Sequence, residues 1–485
     1  MKLPRLSCVL AVAVLAFNFS ARAELKLPAI FGDNMLLQQQ QHVPVWGWAA
    51  PGATVTVKFA GQSKSARADA EGKWIVKLGK LKASFTPQTL VIEAGDTRTY
   101  TNILVGEVWL ASGQSNMEKP IGVQRGQKPV FNAEVELATA NFPSIRIFKI
   151  EKMFSATIRT DLEKFECWQE CNSNALNSMS FSAAAYFFGR EIHTNLNVPV
   201  GLIESSWGGT RIEPWTPPAG FASVPSLGNI TASDFGTNKI SNTAPTVLYN
   251  AMIAPIAGFA MRGALWYQGE SNRSDTNYDA KMSALIGGWR KVWNEGVFPF
   301  YFVQIAPFKY IKDMTNYVAD TDPLPRLWLQ QSRAARHIKK TGMIVTTDLV
   351  DDLNDIHPRD KATVGHRLAL LALDKTYDTE VPSESPAFAK MKIAGNKAVL
   401  EFEHEHGGLV SKDGRPLTWF AIAGDDGKFV PAEAKIIGRK IVEVSAVGVA
   451  KPVAVRFAWH QLAQPNLFNG ADLPAEPFST QIPVE

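Results

Sequence analysis

The sequence predicts an α/β protein in which a central parallel sheet is flanked by two β-rich segments. Three observations carry that prediction. Residues 103–376 alternate apolar, strand-length runs with stretches of helical periodicity. Residues 24–102 and 387–485 show only short strand-like runs, punctuated by Gly and Pro. Polar clusters follow several of the central runs, at the strand ends where an open parallel sheet presents groups to a ligand. At 485 residues the chain exceeds one ordinary core. With 46% hydrophobic and 20% charged residues it has the balance of a globular protein rather than a disordered one.

The elements follow in order. Residues 1–23 read as a secretory leader: Lys2 and Arg5, an apolar run over 9–17, then Ala21-Arg22-Ala23. The run is too short for a stop-transfer helix, so the expectation is a mature chain from Glu24, periplasmic or secreted. Losing Lys2, Arg5 and Arg22 with the leader lowers the formal charge of +4 by three, to about +1. No basic tail or polybasic helix remains, which argues against nucleic acid and anionic membrane as partners.

Residues 24–102 read as an N-terminal β-sandwich, with alternating runs such as 54–59 and 74–78. The central domain, 103–380, offers candidate strands at 103–111, 144–150, 199–205, 262–268, 299–306 and 342–348. Candidate helices lie at 181–196, 278–293, 327–338 and 362–373. Segments 212–245 and 307–325 lack periodicity and read as long binding loops. Cys167 and Cys171 are four apart, which on a helix places them on one face; a disulfide and two free thiols both remain open. The linker 381–386 precedes a C-terminal β-sandwich, 387–485. There His404 and His406 share a face if they lie on a strand, but no third ligand follows, so no metal is expected.

Four clusters follow the central strands: 113–117, 205–210, 267–272 and 351–358. One sheet edge gathers them. Ser115 is a nucleophile candidate, and it needs a base. Among eight histidines, His357 alone combines a strand-end loop with neighbouring carboxylates. Asp355 and Asp348 both qualify to orient it. Backbone N–H groups of Ser115 and of Gly208 or Gly209 can form an oxyanion hole, with a side-chain amide from Gln268 or Asn272 as a further donor. Met117 stands where a nucleophile elbow needs its second Gly, which disfavours the α/β-hydrolase fold.

With these motifs in order (Gly113-Gln114-Ser115-Asn116-Met117, Ser206-Trp207-Gly208-Gly209-Thr210, Tyr267-Gln268-Gly269-Glu270-Ser271-Asn272 and Asn354-Asp355-Ile356-His357-Pro358) the chain resembles the sialate O-acetylesterases of the SGNH hydrolase superfamily. The likeness extends to 181–190, 457–459 and 466–469. It implies a three-layer α/β/α SGNH-hydrolase domain with a parallel sheet, flanked by N- and C-terminal β-sandwich domains. It implies hydrolysis of O-acetyl esters on sugars, with Ser115 as nucleophile, His357 as base and no cofactor. The expected partner is an O-acetylated mono- or oligosaccharide, from sialic acids or from hemicellulose such as xylan or xyloglucan. Trp207, Arg211 and Asn272 are the candidate substrate-binding residues. Two positions depart from the family pattern. Asn354 stands where relatives carry the orienting Asp, which leaves Asp355, Asp348 or no acid in that role. Arg211 replaces a frequent Pro, and either meets a sugar carboxylate or pairs with Glu213. The competing reading is a non-catalytic secreted carbohydrate-binding protein with a degenerate esterase core.

Overall fold

The computed structural model describes residues 24–482 apart from 125, 229, 231–239 and 316. The expected leader and part of the 212–245 loop lie outside the described residues. The core is a mixed sheet whose strands run in the order Thr341–Ile344, Phe300–Val303, Gly263–Tyr267, Thr97–Gly113, Val200–Ser206, Asn141–Ile150, Phe165–Asn172. Five of its pairings are parallel; Phe165–Asn172 runs antiparallel to Asn141–Ile150 at the edge.

That edge strand corrects the expectation of a wholly parallel sheet, and it corrects the placement of the cysteines. Cys167 and Cys171 sit on a strand, not a helix. Four strand residues span about 13 Å, far beyond the reach of a disulfide. Both thiols are free, one exposed and one buried, and burial pushes Cys171 up to about 12.

Alternation along the strands separates two apolar faces. Trp109, Leu265, Tyr267, Tyr301 and Val303 pack with helices Ala183–Leu196 and Lys361–Lys375. Leu110, Ala264, Trp266, Phe300 and Phe302 pack with helices Tyr278–Trp293 and Pro323–His337. Both sets of side chains come from the same strands, as the period of two requires.

The strand Thr97–Gly113 organises the molecule. Its first half pairs with Ser84–Glu93 and Leu36–Gln38 of the N-terminal β-region; its second half lies at the centre of the sheet. The boundary expected at 102/103 therefore falls inside one 17-residue strand. Only its apolar part stood out in sequence. On one edge the partner changes from Gln38 to Val200. The chains approach so closely there that a Cβ on Gly106 would lie 1.9 Å from the Pro199 carbonyl oxygen.

Beside that junction the buried Glu107 carboxylate accepts hydrogen bonds from Gln39 Nε2 (2.7 Å), Arg262 Nε (2.6 Å) and Nη2 (2.9 Å), Tyr377 OH (3.0 Å) and Gln38 Nε2 (3.1 Å). One side chain thus links three distant stretches of chain. Glu107→Ala leaves the Arg262 guanidinium without its counter-charge, and the expected loss of stability is about 3–5 kcal/mol. Thermal unfolding followed by circular dichroism measures it; an unchanged midpoint would refute the assignment.

Residues beyond 386 form two four-stranded antiparallel sheets and a two-stranded ribbon around Leu400, Ile422, Val442, Phe457 and Phe478. His404 and His406 lie past the end of strand Lys397–Glu403 rather than on it, and His404 pairs with Glu384 at 3.3 Å.

Candidate active site

Register brings three of the four clusters together. Ser206 and Tyr267 both lie level with Gly113, so the loops from 114, 207 and 268 leave one edge side by side. Gly113 has φ +140°, and a Cβ there would sit 2.2 Å from the Tyr267 carbonyl oxygen. Only Gly fits this turn. The Gln114 N–H donates to that same carbonyl at 3.0 Å. The chain then enters a single helical turn, Ser115–Glu118.

The fourth cluster closes onto this turn. The Ser115 hydroxyl lies 2.9 Å from His357 Nε2. Asp355 folds back on His357: its Oδ1 accepts the His357 backbone N–H at 2.9 Å and lies 3.4 Å from Nδ1. A carboxylate accepts only, so the ring proton belongs on Nδ1, and Nε2 is left to accept from the serine. Asp348 is elsewhere engaged, in a two-pronged pair with Arg367 at 2.6 and 2.8 Å. Asn354 is exposed and bonded to Asp352.

Burial, and next to it the Lys361 ammonium, lower His357 to about 4 against the opposing pull of Asp355. Both nearby lysines are themselves depressed by burial, Lys361 to about 7 and Lys119 to about 8. A depressed imidazole stays neutral, and so able to take a proton, at any pH above about 4. If His357 is the base, kcat/KM should be flat with respect to this group above about pH 5 and fall about tenfold per unit below about pH 4. A pH–rate profile checks this; an acid limb near the ordinary histidine value contradicts it.

The oxyanion candidates divide. Ser115 N–H, at the first position of its turn, has no intrahelical partner. Gly208 lies against Ser115, where a Cβ would come 3.1 Å from Ser115 Cβ. Its N–H, however, donates to Glu118 Oε2 at 2.6 Å, and Glu118 is held in turn by Lys152. The expectation that Gly208 offers a free donor is thus not met in this state. Gly209, at φ +75° with open space around it, makes no hydrogen bond through its N–H among the described residues.

The amides are not aimed at Ser115 either. Gln268 Nε2 donates to Asn272 Oδ1 (2.7 Å), Gln114 Oε1 (3.0 Å) and the Thr210 carbonyl (3.2 Å), while its Oε1 accepts from Tyr278 OH. Gln268 thus stitches loops together instead of donating to an oxyanion. Asn272, expected to bind substrate, is fully buried: it accepts from Ile212 N–H and donates to Glu213 and Asp275. Arg211 pairs with Asp275 (2.7 Å) and Glu213 (3.2 Å), so its charge is matched. Burial pushes Glu213 up, but Lys281 and Arg211 outweigh it and hold the carboxyl at about 2. Trp207 is half-buried next to the strand end, its ring 6.3 Å from that of Phe154, which is exposed.

Sequence reasoning missed Asn116, Glu118 and Lys361. Asn116 Nδ2 donates to Glu270 Oε1 (2.5 Å) and to the Ile356 carbonyl (3.0 Å), and its Oδ1 accepts from Lys361 Nζ (2.7 Å). The residue after the serine is thereby tied to the residue before the histidine. Position beside Ser115 was a signal for Asn116. Lys361 gave none, because only packing reveals that this lysine is buried.

A sequence profile described as carbohydrate esterase, sialic acid-specific acetylesterase, matches residues 105–374. Human sialate O-acetylesterase is 30% identical over 95% of this chain and 93% of its own length. The mouse sialate O-acetylesterase is 29% identical over 94% of each. The crystal structure of a carbohydrate acetylesterase from Xanthomonas citri superposes with a TM-score of 0.85, at 35% identity, covering 94% of this chain and 99% of that one.

Proposed function

This chain belongs to the sialic acid-specific acetylesterase family of carbohydrate esterases, and from that membership we propose that Ser115, His357 and Asp355 remove acetyl groups from O-acetylated sugars. As a member it is a carboxylic ester hydrolase. The observation that carries the residue assignment is the 2.9 Å contact between Ser115 Oγ and His357 Nε2.

In the proposed reaction Ser115 Oγ attacks the acetyl carbonyl carbon as its proton passes to His357 Nε2. Asp355 steadies the imidazolium that forms. The oxyanion takes hydrogen bonds from the Ser115 and Gly209 N–H groups, and from Gly208 once Glu118 releases it. As the intermediate collapses, His357 gives its proton to the sugar oxygen and the acetyl group stays on Ser115. Water, deprotonated by His357, then attacks the acyl-enzyme. Acetate leaves, and the proton returns to Ser115. No step needs a metal or organic cofactor.

The catalytic unit is read as a three-layer SGNH fold over 103–380, with β-sandwiches at 24–102 and 387–485 and the strand Thr97–Gly113 running across the first boundary; the helix pairs on opposite faces of the sheet support the three layers. Residues 1–23 are read as a cleaved leader that delivers the enzyme to the periplasm or the exterior, for which amino-terminal sequencing should return Glu24 as the first residue. Among substrates, the matched charge of Arg211 favours an uncharged acetylated sugar, of the hemicellulose class, over a free sialate. The test is acetate release from acetylated xylan, xyloglucan and sialic acid oligosaccharides. Faster turnover of the neutral glycans is expected. Preference for acetylated sialate overturns the substrate assignment, and no acetate from any of them overturns the enzyme itself.

A further inference from the structure

A groove lies at the opposite edge of the sheet from Ser115. With a volume of about 1120 Å³, it runs between the N-terminal β-region and the central domain. Small-ligand sites span about 300–1,000 Å³ and favour such junctions, so this groove is sized for a longer ligand. One wall is the outer face of the two-stranded ribbon Val43–Trp48 and Lys73–Leu78, where Pro44, Trp46 and Trp48 stand opposite Lys77, Ile75 and Lys73. The other wall includes Ala257, Trp293 and Glu295. Ala257 precedes the strand that ends beside Gly113 and Glu295 precedes the parallel strand next to it, so this wall is at the amino edge of the sheet. Ser115 is at the carboxyl edge, at least four strand residues or about 13 Å away.

The lining has the chemistry of a sugar-chain site. Trp46 and Trp48 alternate on one strand face about 7 Å apart, each half-buried and lining the groove. Indole faces stack on the C–H faces of pyranose rings, while polar groups at the ring edges take hydroxyls. One unused polar group lies in the lining. The Trp74 indole is 3% exposed and its Nε1 donor has no partner. Such groups are rare inside a folded chain unless something else satisfies them. Ile75, at the same face, leaves half its surface exposed.

Charge selects among glycans. Arg67, Lys73, Lys77 and Lys80 line the groove, and among the described residues none of them makes an ion pair. Against them stand only Asp69 and Glu295. Lys26 lies 5.5 Å over the Trp48 ring, but its ammonium is matched by Asp161 at 3.5 Å.

We infer that this groove is a non-catalytic binding site for an acidic oligosaccharide, a stretch of glycan other than the uncharged acetylated sugar on which Ser115 acts. The binding site stands without the proposed catalytic roles, and its test is run where catalysis is removed. Full-length Ser115→Ala protein is titrated calorimetrically with an oligogalacturonate and with an uncharged xylo-oligosaccharide of equal length. Saturable binding of the oligogalacturonate is expected, weakened about tenfold by Trp48→Ala and by Lys77→Glu, with weaker binding of the uncharged chain. Trp48→Ala in the active enzyme should leave hydrolysis of an aryl acetate unchanged. The inference is overturned if neither oligosaccharide binds, if both substitutions leave binding intact, if charge makes no difference, or if Trp48→Ala lowers aryl acetate turnover.

Discussion

Ser115→Ala is expected to lower acetate release about 10⁶-fold, the loss seen when a nucleophile that acts as a unit with its base is removed. Alanine offers His357 Nε2 nothing to deprotonate, and no neighbouring hydroxyl replaces it: Ser112 and Ser206 are buried, and Ser206 bonds Glu204. The turn itself should survive. Gly113, the Gln114 N–H to Tyr267 bond and the Asn116 clamp hold it through groups the substitution leaves alone. The thermal midpoint should therefore stay where it is while turnover of an aryl acetate disappears. A fall of only about 10²-fold, the size of a lost proton-transfer contribution, would deny Ser115 the nucleophile's role. The same pair of measurements separates an esterase from a binding protein that keeps an esterase core.

Asp355→Asn is expected to lower kcat about 10⁴-fold, as when the carboxylate behind a catalytic histidine is lost. Asparagine can still hold the loop through its carbonyl oxygen, but its amide offers a proton to Nδ1 and favours the tautomer that leaves Nε2 protonated. That ring cannot accept the serine proton. Asp348→Asn should do something different. It removes the carboxylate from Arg367, which is 4% exposed, and so lowers stability with little change in kcat. If Asp348→Asn abolished turnover in a stable protein while Asp355→Asn did not, the acid would have been assigned to the wrong loop.

The fold was legible wherever periodicity was strong. Helix Tyr278–Trp293 has the bounds the spacing predicts, and four of the six candidate strands overlap observed ones over most of their length; the other two, 299–306 and 342–348, end early at Val303 and Ile344. Phe165–Asn172 was missed because Glu166 and Glu170 interrupt its apolar pattern and because two cysteines four apart suggest a helix as readily as a strand. In the site, His357 and Ser115 were legible for a topological reason. Parallel strands deliver their carboxyl ends to one edge whatever lies between them.

Hydrogen-bond partners were not legible. Gln268, Asn272 and Arg211 are the right residue types for donors to a ligand, and they lie in the right loops. Each has its donors taken by another loop residue. Residue type gives capacity to bond; only relative position in space decides which of many acceptors receives the bond. The same reason separates Asp355 from Asp348, seven residues apart in sequence, and hides the burial of Lys361. By itself, then, the sequence determined the α/β organisation, the flanking β-regions and the meeting of serine with histidine, because these follow from periodicity and chain order. The tertiary structure alone decided the acid behind the histidine, the engagement of Gly208 by Glu118 and the internal use of the amides. These are outcomes of competition among groups brought together by packing, and no local pattern records the winner.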